Sequence, residues 1–302
     1  MNRAMFSGVA GLKAHQTKMD VIGNNIANVN TYGYKAQHAV FSDVFYQTIA
    51  SASAGTATSG GTNPSTVGYG SKLVAVRSDM GSSSLQSTGN SMDVAITGEG
   101  FFAVKQGNNI YYTKAGELGI DTAGNLVDVI GSLVCGESAF QQQTDTQSSL
   151  PDKYDDANKH TINILEGINM AAKGSYDSSN PEIKLSDIKG ISIGTDGIIS
   201  ATYNGTSYNV GQIYLGNFAN PSGLQSAGNG YYEKSNNSGD AIYSAPGSND
   251  TGALQTSTLE MSNVDLASEF ADMITTQRGF QANSRIISVS DTMLEELVNL
   301  KR

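Results

Sequence analysis

The chain has 302 residues, about two domains by length, with a formal charge of −10 and only 15% charged residues against ~25% in an average soluble domain. An acidic chain poor in Lys and Arg is a weak nucleic-acid ligand, because phosphate neutralisation supplies most non-specific affinity. One cysteine, Cys135, excludes an internal disulfide framework and a CxxC zinc site, and no apolar run approaches the ~20 residues of a membrane span.

The first 30 residues carry neither an apolar h-region nor a small-residue cleavage site, so no cleaved signal peptide is expected. They read instead as a helix over residues 3–28. Met5, Leu12, Met19 and Ile26 recur every seven residues, and Val9 and Ile22 lie on adjacent rows. That spacing draws an apolar stripe down one helix face, interrupted by Gly8 and His15. The helix runs into Gly23-Asn-Asn-Ile-Ala-Asn-Val-Asn-Thr-Tyr-Gly-Tyr-Lys35. Asn side chains bond local backbone and tolerate left-handed conformations, so this Asn-rich run reads as a helix end and a sharply specified turn. Gly33 permits a backbone reversal, and Tyr32 and Tyr34 offer ring area with a polar tip.

Residues 44–71 contain no charge and are rich in Ala, Ser, Gly and Thr. They read as a flexible linker or an extended arm ordered by a partner. Strands follow at 72–77, 92–97, 101–105, 110–113, 117–120 and 126–130, separated by Gly, Asn and Asp. Residues 141–189 are polar and poorly periodic, with too little apolar content for a substantial core. A second set of strands falls at 191–193, 198–203, 212–218 and 231–234. Gly119-Ile-Asp-Thr-Ala-Gly124-Asn-Leu-Val127 and Ile193-Gly-Thr-Asp-Gly197-Ile-Ile-Ser200 read as two similar hairpins with Gly at positive φ.

The C-terminal helix carries the stronger signal. Leu259, Leu266, Met273, Phe280, Ile287 and Leu294 recur at seven-residue intervals, and Phe270, Ile274, Met293, Leu297 and Val298 widen the stripe. Ser262 with Asp265 resembles a capping box for a helix entering at Asn263 or Val264. A strict heptad implies packing against another helix with a left-handed supercoil. Residues 1–35 carry a net charge of +3 and residues 259–302 a net −3, which favours pairing the two terminal helices. The fold expected is therefore mixed: α-helical termini paired as a coiled coil, with an all-β middle nested between them. Its parts are 1–35 with 255–302 as the helix pair, 36–70 as the arm, 71–140 with 190–254 as a discontinuous β domain, and 141–189 as a small polar insertion.

A search for chemistry returns little. His15, His38 and His160 are isolated, and no HExxH, GxSxG or P-loop is present. Cys135 reads as a small buried apolar residue. No catalytic residue, metal or cofactor is expected.

The dense motif resembles that of the bacterial flagellar rod and hook family of axial proteins. The matching positions are Asn24, Asn25, Ala27, Asn28, Thr31, Gly33, Tyr34 and Lys35. Asp93-Val-Ala-Ile-Thr-Gly-Glu-Gly-Phe-Phe102 and Tyr112-Thr-Lys-Ala-Gly116 resemble the family's entry into its first β domain. Leu259-Glu-Met-Ser-Asn-Val-Asp-Leu266, then Met273-Ile-x-x-Gln277-Arg-Gly-Phe280 and Asn299-Leu-Lys-Arg302, are most similar to its hook members. The resemblance implies a structural subunit of the hook, polymerising into a flexible hollow tube that carries torque from rod to filament. A distal-rod subunit, a rigid drive shaft, is the alternative. It implies that the helices line the tube, meeting through Met5, Leu12, Met19, Ile26 and the six residues of the C-terminal heptad. Implied partners are further copies of the chain, the distal rod, hook cap, hook–filament junction and hook-length control proteins, and the type III export apparatus. Nucleic acid and membrane insertion are not expected, and the implied location is the extracellular flagellum.

Overall fold

The computed structural model describes residues 2–55, 60–138, 161–173, 183–248 and 251–300. Helix α1 (Asn2–Ala27) precedes strands β1 (Gln37–Asp43), β2 (Tyr46–Ala50), β3 (Ser65–Gly68) and β4 (Ser71–Ser78). Next come β5 (Leu85–Ser87), β6 (Val94–Thr97), β7 (Phe101–Gln106), β8 (Asn109–Thr113), β9 (Leu118–Ile120), β10 (Leu126–Asp128), β11 (Leu133–Val134) and β12 (Gly136–Ser138). Helix α2 (Ile164–Lys173) leads to β13 (Ile188–Ile193), β14 (Ile198–Tyr203), β15 (Thr206–Ile213), β16 (Leu215–Asn217), β17 (Gln225–Gly228), β18 (Tyr231–Glu233) and β19 (Ile242–Ser244). Strands β20 (Ala253–Thr256) and β21 (Thr258–Glu260) precede the long helix α3 (Leu266–Asn299). The described chain is thus mostly β, with a helix toward each end. It divides into two units: Met1–Val29, Ala36–Asp79 and Val264–Arg302, and Asn30–Lys35 with Met80–Asn263.

In the first unit α1 and α3 lie antiparallel. A Cβ on Gly8 would meet Ile287, one on Gly11 would meet Asn283, and one on Gly279 would meet the ring of His15. Near the far end of α1 the Asn25 amide bonds Glu269. Helix α3 starts two to three residues later than its sequence suggests. Asp265 is the N-cap and accepts from Ala267 N–H at 2.9 Å, which satisfies one of the helix's orphan donors.

Residues 36–79 form a two-stranded antiparallel ribbon. β1 pairs with β4, and β2 with β3. Val44 N–H to the Gly70 carbonyl (2.9 Å) and Tyr69 N–H to the Phe45 carbonyl (3.1 Å) join the two stretches. The uncharged segment is therefore strand over Tyr46–Ala50 and Ser65–Gly68, paired on itself, and residues 71–78 pair back onto Gln37–Asp43 rather than joining the β domain. Cross-strand partners tens of residues apart leave no local mark in sequence. Helix α1 lies against the base of the ribbon: the Arg3 guanidinium sits 5.9 Å from the centre of the Tyr69 ring, and a Cβ on Gly70 would come within 3.2 Å of Ala10.

The second unit is built on a sheet of order β17-β18-β8-β7-β11-β10-β9, with β16 beside β7 and β19 beside β16. A four-stranded sheet of order β12-β15-β14-β13 and two short pairs, β20-β6 and β21-β5, complete it. The alternation of Phe101–Gln106 places Phe102 and Val104 in one fully buried cluster with Ile96, Leu126, Ile199 and Ile213, while Phe101 and Ala103 enter a second with Tyr112 and Phe218. Both expected hairpins form, with Gly124 at φ +84° and Gly197 at φ +78°.

The described part of residues 141–189 departs from the polar insertion expected. Ile162, Ile164, Ile168 and Ile183 are fully buried in the main cluster. Gly167 lets α2 approach β15 so closely that a Cβ there would lie 2.3 Å from the Val210 carbonyl. The polar stretches on either side dilute the composition and hide this short amphipathic helix. Residues 139–160 and 174–182 fall outside the described residues. Strands β20 and β21 pair with β6 and β5, so the unit runs to Asn263 rather than to residue 254.

Candidate assembly surfaces

The Asn-rich motif separates into two anchors. Within the first unit Asn25 is fully buried. Its amide donates to the Gln37 carbonyl (2.8 Å) and to Glu269 Oε1 (2.9 Å), and its Oδ1 accepts from Gln37 N–H (3.0 Å). One side chain thus ties the end of α1 to the start of β1 and to α3. Asn28 donates to the Asn24 carbonyl (2.9 Å) and to Asn24 Oδ1 (3.1 Å), which closes the helix end after the exposed Ala27.

Within the second unit the Thr31 carbonyl accepts from Tyr34 N–H (3.3 Å), and Gly33 at φ +70° donates its N–H to the Glu260 carbonyl (2.8 Å). A Cβ on Gly33 would lie 2.8 Å from Ala115 N, so only glycine fits the turn. Lys35 and Glu260 form an ion pair at 2.7 Å with both side chains fully buried. Lys35 Nζ also donates to the Gly81 carbonyl (2.7 Å), and Ser83 N–H donates to Glu260 Oε1 (3.1 Å). A buried ion pair is a poor source of net stability but a strong register device, since displacing either partner strands a charge. Lys114 is buried nearby, donates to the Gly98 carbonyl (2.9 Å) and lies 5.2 Å from the centre of the Phe101 ring. Burial pulls its ammonium down to about 8, the positive charge of Lys35 adds to that, and Glu260 opposes it.

The face between the terminal helices differs in character from the stripe read in the sequence. Glu269, Thr276 and Ser290 are buried on α3, with Asn283 partly buried between them: a seven-residue series that is polar throughout. Opposite stand Gly8, Gly11, Ala14, Ile22 and Asn25, all buried. Small and polar residues let the helix backbones approach closely, whereas the larger apolar residues flank this seam. Met5, Leu12, Met19 and Ile26 are half-buried on α1, as are Met273, Ile287 and Leu294 on α3. Leu266 and Phe280 are each 38% exposed. Leu259 lies in strand β21, buried and paired with Gln86 of β5, because the helix does not begin until Asp265 caps it. Hydropathy does not reveal the polar series, although its seven-residue spacing is as regular as the apolar one.

Further apolar surface is exposed on the ribbon, chiefly Phe45 at 79%, Ile49 at 63% and Val74 at 58%. A lone two-stranded ribbon is marginal in water, and large contiguous apolar exposure marks interaction surface. Cys135 is buried and its thiol is pushed up to about 12 by burial. Among the described residues no group of three or more metal-ligating side chains converges, and no helix is long and apolar enough to cross a membrane.

Three family models match in order along the chain: "Flagella basal body rod protein" over residues 5–35, "Flagellar hook protein FlgE/F/G D1 domain" over 95–201, and "Flagellar basal body rod FlgEFG protein C-terminal" over 255–300. The flagellar basal-body rod protein FlgG of Bacillus subtilis is 42% identical, with all of both chains covered. The flagellar hook protein FlgE of Treponema pallidum is 30% identical and the FlgG of Borreliella burgdorferi 34%, again with full coverage of both chains. The first model spans the Asn-rich turn and the third contains Glu260, the partner of Lys35. The chain belongs to the flagellar rod and hook family of axial structural proteins, non-enzymatic subunits that assemble into the axial polymer of the flagellum.

Proposed function

We propose that this chain is a subunit of the distal rod, the stiff drive shaft of the flagellum. The exposed apolar ribbon carries the reading. Ile49 projects from β2, Val74 from β4 and Phe45 from the hydrogen-bonded junction between β1 and β2, so the exposed apolar side chains stand on paired backbone rather than on a slack linker. Embedded between neighbouring copies, such a ribbon interlocks them and resists the sliding that bending requires. The likeness to FlgG over the whole length of both chains supports the same reading. The terminal helices would wind as a coiled coil in the tube wall, with Met5, Leu12, Met19, Ile26, Leu266, Met273, Phe280, Ile287 and Leu294 completing their burial against further copies. Within the helix pair, Asn25 would fix the end of α1 against α3. Delivery would use the flagellar type III export apparatus.

The hook is the second reading, favoured by Gln277-Arg-Gly-Phe280 and by full-length likeness to hook FlgE. Its partners would be the distal rod, hook cap, junction and length-control proteins. Electron microscopy of tubes grown from the purified chain separates the two: straight, rigid tubes support rod, and curved or polymorphic tubes would sink it. Ile49→Ser should loosen rod-type tubes into flexible ones without preventing assembly.

A further inference from the structure

Helix α3 is longer than the helix it packs against. Asn25 stands against Glu269, His15 against Gly279, Gly11 against Asn283 and Gly8 against Ile287. In that register Asn2, the start of α1, falls opposite about residue 292. The last turns of α3 therefore run on past α1 for ~12 Å at 1.5 Å per residue, with no other helix among the described residues packed beside them. This overhang carries Met293 at 50% exposure, Leu297 at 48%, Val298 at 68% and Leu300 at 81%. Residues 291–300 also carry three carboxylates, Asp291, Glu295 and Glu296, and no base. Lys301 and Arg302 follow directly in the sequence, and a carboxylate near a helix C-terminus, at the negative end of its dipole, gains from a cation beside it.

The outer face of α1 has the complementary chemistry. Phe6 is 66% exposed and Val9 41%, and Lys13 is exposed one turn further on. At spacings of three and four these residues share one face: two apolar side chains followed by a base. On the overhang Met293, Glu296, Leu297 and Leu300 share a face in the same way. We propose that the α3 overhang docks on the Phe6–Val9–Lys13 face of α1 in a second copy of this chain, with Leu297 against the apolar pair and Glu296 against Lys13. The register excludes the chain's own α1 as the partner. The Phe270–Ile274 face of another α3 is followed by Arg278 at the same spacing, so charge exchange at Lys13 decides between the two partners. The inference rests on the axial-polymer reading and assigns one of its contacts.

The test is the critical concentration for polymerisation of the full-length chain, measured by sedimentation, with monomer helicity followed by circular dichroism. Leu297→Ser should raise the critical concentration at least tenfold and leave monomer helicity unchanged, since its side chain is half in water already. Lys13→Glu and Glu296→Lys should each raise it about fivefold, within the range of one exposed pair turned repulsive. The double exchange should return it to within about twofold of wild type. Wild-type behaviour of Leu297→Ser, or a double exchange no better than the worse single, overturns the assignment. Failure of the wild-type chain to polymerise would sink the axial reading itself.

Discussion

Replacing Lys35 by Met removes the cation from a fully buried ion pair and leaves the Glu260 carboxylate in place. Ser83 N–H would remain as a donor to Oε1, while Oε2 is buried with no hydrogen-bond partner. The Gly81 carbonyl would lose its ammonium as well. Breaking one side of such a pair costs ~3–5 kcal/mol, because the surviving charge is uncompensated. With a urea m-value of roughly 2 kcal/mol per M, the midpoint should fall by roughly 1.5–2.5 M. The assay is urea unfolding of the full chain followed by tyrosine fluorescence, since the chain has no Trp and 14 Tyr. Tyr112, Tyr231 and Tyr232 lie in the core of the second unit and report on it. Lys35→Met/Glu260→Leu should recover most of the loss, because an apolar pair of similar volume is often as stable as the ions it replaces. A Lys35→Met midpoint within ~0.3 M of wild type, or a double variant no better than the worse single, would refute the argument.

Three further outcomes follow from the same residues. Gly33→Ala should cost about 2 kcal/mol or more in the same assay, since φ +70° strains any side chain and its Cβ would meet the backbone at Ala115. Lys114, with its folded value lowered to about 8 by burial, keeps its proton to ~10.4 when unfolded. Between those values the unfolded state binds more protons, so stability should rise as pH rises from ~8. The raised thiol of Cys135 acts oppositely above ~8.5, so the slope is best read in Cys135→Ala, and adding Lys114→Met should flatten it. Finally, iodoacetamide at pH 8 should leave Cys135 unmodified in the native chain and alkylate it in urea, whereas native labelling at the denatured rate would contradict its burial.

Much of the local structure is legible in the sequence. Helix α1 follows from its heptad and from the Asn run that ends it, and the hairpins around Gly124 and Gly197 follow from alternation broken by glycine. The six strands of the first set form within a few residues of their expected places, because each signal sits inside its own element. Residues 36–79 are harder: an uncharged Ser/Ala/Gly stretch reads alike as linker or strand, and only the pairing of Tyr46–Ala50 with Ser65–Gly68 distinguishes them. Ile162, Ile164, Ile168 and Ile183 sit within a segment whose composition is polar, although their spacing around α2 is itself a local signal.

Periodicity and glycine placement are enough to make both ends helical and the middle β, and to require a chain reversal at Gly33. Each of these is a local quantity, carried by residues within a few positions of one another. Which helix faces meet is a different matter, set by packing in three dimensions. The apolar heptads are visible along the chain, yet the seam is made by Gly8, Gly11, Asn25, Glu269, Thr276 and Ser290, since close approach of two backbones depends on small side chains from both helices at once and on the Asn25–Glu269 bond between them. Packing likewise brings Lys35 and Glu260, 225 residues apart, into one buried site. Neither charge signals a partner along the chain, and the cost of burying each is offset by the other together with the Gly81 carbonyl and the Ser83 N–H.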